Sequence, residues 1–373
     1  MVRLHQAICN GLFYNNLELD VICKSAILTS IMYVLENVPL SGYSTMRVGG
    51  NARYLAEIST DLEVPKAVDW AEEHQVPVLM VGDGSNIIWR DEGFEGLVLV
   101  NKIKRFDISS FDDDTAYVTI GAGENWDEVV ERTVEQGLSG IEALSLIPGT
   151  AGATPVQNVG AYGQEISSVL MTLQAYDLHE RKLVTLQASE CEFSYRTSRF
   201  KTTDRDRFLI TTLSMILSKR PPIPPFYHSV EYYLKENGIT DITAKNIRKA
   251  VIAIRQAKLP DPKHISNTGS FFKNPIISRS RLPQLTADYP DIAYWEVDEY
   301  NVKLSAAWLI EAAGFKGMHD KETGMATWPS QPLVFINESA QSTSQVLAFR
   351  DKVAAAVNEK FQVELEQEPE LLP

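Results

Sequence analysis

An uncharged stretch of small residues, 147–163, most restricts how this chain can fold. It contains four glycines and three alanines. Loops of this length inside a compact domain usually have a function, and glycine lets the backbone come close to another surface. The stretch therefore indicates either a seat for a flat, elongated ligand or a loop packed tightly against its own domain. The residues alone support both alternatives.

A second glycine-rich segment, Gly82-Asp83-Gly84-Ser85-Asn86, lies between two predicted strands, Val76–Val81 and Ile87–Trp89. Successive backbone N–H groups in such a turn can hold a pyrophosphate. The segment is not the fingerprint of a Rossmann fold, because a strand follows it and the third glycine is absent. A tight hairpin is the alternative. If both glycine segments bind a ligand, one on each αβ unit, they predict a dinucleotide held between them.

Alternating strands and helices predict an α+β, enzyme-like chain. Before residue 220 we predict a helix from Trp126 to Gln136, a helix that begins near residue 61, and strands at 53–58, 76–81, 87–89 and 116–120. The proline run Pro221–Pro225 interrupts regular structure and marks a domain boundary. Beyond it the apolar periodicity predicts a strand at 333–336 and helices at 230–237, 244–257, 303–313 and 343–360.

Composition narrows the classes of function. The formal net charge of −14 argues against a general nucleic-acid binder, which would carry a basic surface. The three cysteines and the scattered histidines form neither a disulfide framework nor a metal motif. We therefore predict no metal site and a reducing, cytoplasmic location. The apolar stretch 26–35 is too short to span a bilayer, so we predict no membrane segment. Residues 1–34 are predicted to be an extension of unknown role.

The run Asn267–Pro275, which reads NTGSFFKNP, carries candidate chemistry. The hydroxyl of Ser270 follows a glycine and precedes the rings of Phe271 and Phe272. A hydroxyl under aromatic cover can donate a proton where water is scarce, and the two rings are candidates for that cover. The alternative is a turn followed by a strand, with Ser270 as an ordinary turn residue. Arg196 and the acidic tail have comparable alternatives as solvated surface charges.

Seven motifs in this order resemble the family of UDP-N-acetylenolpyruvoylglucosamine reductases. Each motif alone is weak, whereas the ordered set is specific, and the similarity extends from about Leu35 to Leu371. The motifs are STMRVGG at 44, GDGSN at 82, GAGENW at 121, IPGTAGATPVQNVGAYG at 147, SYRTS at 194, LPDPK at 259 and NTGSFFKNP at 267.

The resemblance implies noncovalent binding of FAD on a domain of the vanillyl-alcohol-oxidase type, built from two αβ subdomains. A separate α+β domain would bind the substrate. We assign residues 35–102 and 103–220 to the two subdomains and residues 221–373 to the substrate-binding domain, whose C-terminal tail returns to the active site. The positions carried over to the flavin and its pyrophosphate are Gly82, Asp83, Gly84, Ser85, Asn86, Gly149, Gly152, Ala153, Thr154, Asn158 and Gly160.

The same resemblance implies a reductase of peptidoglycan synthesis with NADPH as co-substrate. Hydride would pass from NADPH through FAD to the terminal methylene carbon of UDP-N-acetylglucosamine enolpyruvate, and UDP-N-acetylmuramate would result. Ser270 matches the family's proton donor to the alpha carbon. Arg196 and Glu368 match two positions that stabilise the negative charge formed on the way. Because Glu366 and Glu370 flank Glu368, the choice among the three stays open at this level.

Substrate contacts are also implied. Tyr227 matches the tyrosine of a mobile loop that occurs in one of the family's two subtypes. The other matching positions are Tyr162, Tyr195, Arg255, Lys258, Asn274 and Gln331, with Lys316 as a weaker match. We predict a monomer that has a small-molecule substrate and no nucleic-acid or membrane partner. We also predict that the tail forms no further strand after Glu368.

Two other functions are compatible with parts of the pattern. A different FAD-dependent oxidoreductase on the same scaffold, such as a carbohydrate oxidase, would turn over with oxygen. Such enzymes often carry a histidine for covalent flavin attachment, and none lies in the glycine segments here. A catalytically inactive nucleotide-sugar-binding protein is disfavoured, because Arg196, Ser270 and Glu368 all have side chains suited to catalysis.

Overall fold

The first sheet lies at the start of residues 32–373, which are the part of the chain that the computed structural model describes. The predicted N-terminal extension lies almost entirely outside these described residues. The sheet has the order β1-β2-β5-β3, with β1 at Leu35–Pro39, β2 at Asn51–Ile58, β3 at Val78–Val81 and β5 at Phe94–Asn101. Strands β2, β5 and β3 are parallel, and helix α1 (Glu63–Glu73) provides the crossover that parallel pairing requires.

The second sheet is antiparallel and has the order β11-β10-β12-β7-β6. Its strands are β6 (Phe106–Ser110), β7 (Thr115–Gly121), β10 (Leu170–Asp177), β11 (Lys182–Gln187) and β12 (Phe208–Ser218). Helix α2 (Trp126–Glu135) follows β7, and its start is capped by Asn125, whose side chain accepts a hydrogen bond from the N–H of Glu128. The stretch 147–163 contains only one short strand, β8 (Gly160–Ala161), which pairs with β9 (Gln164–Glu165).

Two helices follow the proline run. These are α3 (His228–Glu236) and α4 (Ala244–Lys258), and both agree closely with the predicted helices. Val230 of α3 and Val251 of α4 share a small core with Ala143, which precedes the stretch 147–163. The helix pair therefore packs on the unit that carries the second sheet, although it follows residue 220 in the chain.

The C-terminal part contains two further sheets and three helices. One sheet has the order β13-β19-β18-β17, with β13 at Asn267–Ser270, β17 at His319–Asp320, β18 at Met325–Trp328 and β19 at Gln331–Asn337. The other has the order β14-β16-β15, with β14 at Ile276–Ser278, β15 at Tyr294–Glu296 and β16 at Asn301–Leu304. The helices are α5 (Leu282–Asp288), α6 (Ala306–Ala312) and α7 (Thr343–Phe361).

One predicted helix, 303–313, is wrong at its start. Lys303 belongs to β16, where it pairs with Ile276 of β14 and with Trp295 of β15. Helix α6 begins only at Ala306, because Ser305 is extended and its side chain caps the helix by accepting a hydrogen bond from the N–H of Trp308. The apolar residues of strand and helix run together in sequence, and their spacing alone did not show the cap.

The tail forms a strand that we did not predict. Strand β20 (Glu370–Leu372) pairs in parallel with β4 (Ile87–Trp89), the strand that follows Asn86. The prediction that no strand follows Glu368 is therefore wrong. The pairing also excludes the hairpin alternative for the segment 82–86, because β3 and β4 lie in different sheets. The tail thus returns to the N-terminal part of the fold.

The largest C-terminal core includes residues from the start of the fold. Met46, Val48 and Ile88 are buried in the same cluster as Phe271 and Phe335. A single contiguous core therefore joins the predicted FAD-binding and substrate-binding parts. None of the helices within residues 32–373 combines the length and apolar character needed to cross a bilayer.

Candidate active site

The two glycine segments line the same cleft and contact each other directly. Ser85 donates a hydrogen bond through Oγ to the carbonyl oxygen of Pro148 at 3.0 Å, and Asn86 Nδ2 donates to Gln157 Oε1 at 2.5 Å. Residues of β3, the start of β12 and the turn around Phe200 also line the cleft. The cleft thus runs between the two sheets, as expected for a dinucleotide held between two αβ units.

Gly82 and Gly84 lie at positions of the cleft that have no room for a side chain. A Cβ at Gly82 would lie 2.1 Å from Oγ1 of Thr150, which is far inside van der Waals contact. Gly84 has a φ of +70°, and a Cβ there would lie 2.1 Å from the carbonyl oxygen of Tyr43. The backbone at these positions is therefore packed closely against its neighbours, and neither position has room for a side chain. The cleft is lined by a glycine-rich turn from each αβ unit, which fits a dinucleotide such as FAD.

Most of the predicted cofactor positions line the cleft, and two do not. The lining positions are Gly82, Asp83, Gly84, Ser85, Asn86, Gly149, Gly152, Ala153 and Thr154. The Asn158 side chain instead holds the loop together, since Nδ2 donates to Glu165 and to the Ser194 carbonyl and Oδ1 accepts from the N–H of Ser167. Gly160 accepts a hydrogen bond from Arg196 through its carbonyl oxygen. Both residues link the glycine loop to the segment that carries the arginine.

Arg196 and Glu368 form an ion pair, with 3.1 Å between Nε and Oε1. Nη2 of the same guanidinium donates to the Gly160 carbonyl at 2.6 Å, so two contacts fix its plane. Both side chains are mostly buried. Burial raises the pKa of Glu368, whereas Arg196, Lys201 and Lys273 act to lower it. The pair therefore combines a fixed cation with a carboxyl group whose pKa lies above its ordinary value.

The tail brings Glu368 to Ser270 by backbone pairing. The N–H of Glu368 donates to the Phe271 carbonyl at 2.9 Å, and the N–H of Lys273 donates to the Glu366 carbonyl at 2.9 Å. Segments 366–368 and 271–273 are therefore antiparallel neighbours. This pairing distinguishes the three glutamates, because Glu366 pairs with Lys273 and Glu370 with Arg205, while Glu368 reaches Arg196.

Ser270 is the last residue of β13 and pairs with Val334 of β19. It follows Gly269, whose φ of +73° favours glycine. The half-buried Ser270 is thus held at a strand end, beside the residues that anchor the tail. The two candidates for aromatic cover, Phe271 and Phe272, have side chains buried in the C-terminal core, where the Phe271 and Phe335 rings stack at 4.5 Å. Their role as cover for Ser270 stays a prediction.

The predicted substrate residues form two groups. In the first, the rings of Tyr162 and Tyr227 meet edge to face at 5.6 Å, and Arg255 lies close enough to Tyr162 for its charge to affect the pKa of the phenol. Burial raises the pKa of Tyr162 and lowers that of Arg255, whose Nε is buried with no partner among the described residues. A buried, partly unsatisfied guanidinium beside two tyrosines suits an anionic group of a ligand.

The second group lies nearer the ion pair. Burial raises the pKa of Tyr195, and Asn274 lies close enough to act against this effect. The Oδ1 of Asn274 accepts a hydrogen bond from the N–H of Ala306 at 3.0 Å, which fixes Asn274 at the start of α6. Gln331 begins β19, three residues before the partner of Ser270.

Two predicted lysines are not joined to either group by contacts in the described part of the chain. Lys258 is an exposed residue at the end of α4. Lys316 forms an ion pair with Glu311 at 2.7 Å. The exposure of Lys258 and the ion pair of Lys316 therefore give no support to a substrate contact for either side chain.

Two lysines near the site were missed by the sequence predictions. Lys303 of β16 lies with Nζ 4.7 Å from the Tyr195 ring centre, and burial together with the charge of Arg196 lowers its pKa. Lys201 lines the cleft and lies close enough to Glu368 to affect its pKa. Nothing in the local sequence distinguishes either residue from a surface lysine. Their burial depends on segments that are distant in the chain.

Comparison with known proteins agrees with this geometry. Residues 52–180 match the sequence model described as an FAD binding domain. Residues 261–372 match that of the UDP-N-acetylenolpyruvoylglucosamine reductase C-terminal domain. A protein named UDP-N-acetylenolpyruvoylglucosamine reductase from Alcanivorax borkumensis is 39% identical over 340 residues, which covers 91% of this chain and 96% of that one. A protein of the same name from Pseudomonas putida is 39% identical over 336 residues, covering 90% of this chain and 98% of that one.

The fold and the cleft define an FAD-dependent oxidoreductase of α+β architecture. A solved structure of UDP-N-acetylenolpyruvylglucosamine reductase from Thermus caldophilus has the same fold. It matches with a TM-score of 0.64 and 23% identity over 92% of this chain and 100% of that one. From the sequence identity of its relatives, the chain belongs to the UDP-N-acetylenolpyruvoylglucosamine reductase family. The predicted family, fold class and flavin cofactor are confirmed.

Proposed function

We propose that this protein reduces UDP-N-acetylglucosamine enolpyruvate to UDP-N-acetylmuramate, with NADPH as the source of hydride, in peptidoglycan synthesis. The observation that carries the proposal is the convergence of Arg196, Glu368 and Ser270, which the tail brings together beside the cleft that fits FAD. Bound FAD supplies the transfer of hydride from NADPH to the substrate. The roles of the residues follow from their chemistry.

Addition of hydride to the terminal methylene carbon leaves negative charge on the alpha carbon and its carboxylate. In the proposed mechanism Arg196 binds this charge, since its guanidinium is already oriented by Glu368 and the Gly160 carbonyl. Glu368 keeps the arginine in place, and burial raises the pKa of its carboxyl group against the effect of the nearby cations. Ser270 then donates a proton to the alpha carbon, which completes reduction of the double bond.

The remaining assignments belong to the same proposal. Tyr162, Tyr227 and Arg255 would hold the nucleotide end of the substrate, and Tyr195 and Asn274 would lie near the reacting end. We propose the division into two flavin subdomains, 35–102 and 103–220, and a substrate-binding part, 221–373. A monomer in the cytoplasm is the simplest state of such an enzyme, and light scattering of the purified protein tests the monomer.

Purification tests the function directly. The expected result is a yellow protein that oxidises NADPH rapidly only after UDP-N-acetylglucosamine enolpyruvate is added. The product should show the mass gain of two hydrogens. A protein that cannot be reconstituted with FAD would contradict the proposal. Rapid oxygen-driven turnover of a sugar, without need of the enolpyruvyl substrate, would indicate a different oxidoreductase instead.

A further inference from the structure

Lys201 has a fixed place in the wall of the flavin cleft. It ends a short 3-10 turn, Arg199–Lys201, that is tied to the glycine stretch by Ser198. Ser198 Oγ donates to the Val156 carbonyl at 2.6 Å and accepts from the N–H of Phe200 at 3.2 Å. The backbone of Lys201 is thus anchored to the same loop that lines the cleft.

The groups around Lys201 come from the tail and from the Ser270 segment. Glu366, Glu368, Glu370 and Lys273 all interact with it electrostatically. Each of these four has a closer partner, since Glu368 pairs with Arg196, Glu370 with Arg205, and Glu366 with Lys273. Within residues 32–373, the Lys201 ammonium itself has neither a hydrogen bond nor an ion pair within 4.0 Å. Burial and the charge of Lys273 lower its pKa, against the opposing effect of the carboxylates.

None of the three nearby carboxylates forms its ion pair with Lys201 in the described residues, since each pairs with another cation. The side chain of Lys201 is partly buried in the cleft wall, near enough to Glu368 for its charge to act on that carboxyl group. In the reaction proposed above hydride reaches the substrate beside Glu368 and Ser270, so the reacting ring of FAD would lie near this lysine. Transfer of one hydride to FAD adds two electrons and one proton, which leaves one additional negative charge on the ring system.

We propose that Lys201 faces the bound flavin and stabilises the negative charge of its reduced form. The inference rests on the flavin seat and the reaction proposed above. An ammonium held in a site of low dielectric favours the charged form of a neighbouring group far more than it would in water. The other cations nearby are already committed, Arg196 to Glu368 and the Gly160 carbonyl, and Lys273 to Glu366. Lys201 therefore shifts the equilibrium of the bound flavin toward its reduced form.

The test measures the reduced-to-oxidised ratio of the bound flavin against a reference dye, without oxygen, in the FAD-loaded full chain. We expect Lys201→Met to lower this ratio about tenfold at a given dye potential, equivalent to about 30 mV for a two-electron couple. Lys201→Arg, which keeps the charge, should stay within about twofold of the unsubstituted protein. Lys182→Met is the matched control, because Lys182 is exposed and pairs with Glu180 at 2.7 Å.

The ratio distinguishes this role from a purely structural one. An unchanged ratio in flavin-loaded Lys201→Met would overturn the proposal, even if FAD bound more weakly. An equal shift in Lys182→Met would overturn it as well, because a remote charge would then suffice. If Lys201→Met does not fold, Lys201→Gln gives the same comparison with a side chain that retains hydrogen bonding. Failure of the unsubstituted protein to bind FAD would be a separate result, which refutes the proposed function.

Discussion

Ser270 lies one residue before the carbonyl that anchors Glu368, so the proposed acid and the proposed charge-binding pair share one local framework. We expect Ser270→Ala to leave flavin reduction by NADPH within about twofold and to lower substrate turnover by about 10²- to 10⁴-fold. Stopped-flow measurement of the two half-reactions separates these effects. Ser278→Ala, at an exposed position of strand β14, is the control. Equal loss in both half-reactions would show that Ser270 is not the proton donor.

Arg196 makes two contacts that a lysine cannot reproduce together. Its Nε reaches Glu368 while Nη2 reaches the Gly160 carbonyl. We expect Arg196→Lys to lower kcat at least tenfold although the positive charge is kept, because the planar fork that orients the cation is lost. Steady-state kinetics with the enolpyruvyl substrate test this result, with Arg105→Lys, an exposed arginine, as the control. Normal kcat in Arg196→Lys would mean that charge alone is sufficient.

At the residue scale, what the sequence could predict depended on ordered motifs. Ser270 and Arg196 could be predicted from the sequence because each lies inside a motif of fixed spacing. The choice of Glu368 required the pairing of 366–368 with 271–273, which sequence spacing does not reveal. Asn158 was assigned to the cofactor, but its side-chain hydrogen bonds are all used within the loop. No sequence pattern marks Lys201 as a site residue, because its surroundings come from the tail, the Ser270 segment and the glycine stretch, which are distant in the chain.

At the element scale, strands β10 and β12 are joined by an ion pair at one end. Asp177 ends β10, and its Oδ2 accepts from Arg207 Nη2 at 2.7 Å, just before β12 begins. The hydrogen bonds from Arg207 lower the pKa of Asp177 to about 2, against the opposing effect of burial. A carboxyl pKa below its unfolded value stabilises the fold above that unfolded value, and the stabilisation disappears as pH falls toward 2.

We therefore expect Asp177→Asn to reduce the free energy of unfolding by about 2 kcal/mol at pH 7. The difference from the unsubstituted protein should shrink as pH falls from about 4 to 2. Urea unfolding with saturating FAD at pH 7, and again at lower pH, measures both quantities. Asp107→Asn is the control, since the Asp107 pair with Arg105 is exposed and should contribute well under 1 kcal/mol. A pH-independent difference would contradict the assignment.

Elements with a clear cap or glycine stop were predictable from sequence, and elements formed by remote pairing were not. Helix α2 is capped by Asn125 and α7 by Ser342, whose side chain accepts a hydrogen bond from the N–H of Gln345 in a capping box. Strand β20 has no such local signal. It exists because β4 offers an unpaired edge, and only the folded chain brings the two together. The start of α6 was placed too early although Ser305 caps it, because residues 301–304 pair with the remote strands β14 and β15 and are not helical.

At the scale of the whole molecule, the cleft lies between the two sheets, so a ligand that fills it should stabilise both. FAD at about a hundred times its dissociation constant should raise the free energy of unfolding by about 2.7 kcal/mol. FMN lacks the adenylate half and can reach only part of the cleft. We expect FMN at the same concentration to raise the melting temperature less. Thermal unfolding of apoprotein with each flavin measures this, and equal shifts would contradict a seat that spans both glycine segments.

The shared core has a consequence for how such a chain can be recombined. Met46, Val48 and Ile88 are buried with Phe271 and Phe335, and β20 completes a sheet with β4. A chimera that joined the front half of this protein to the back half of a relative would therefore have to match at these places, not only at the joint. The FAD-binding and substrate-binding parts have different functions, but their side chains pack in one core, so neither part can be exchanged independently of the other.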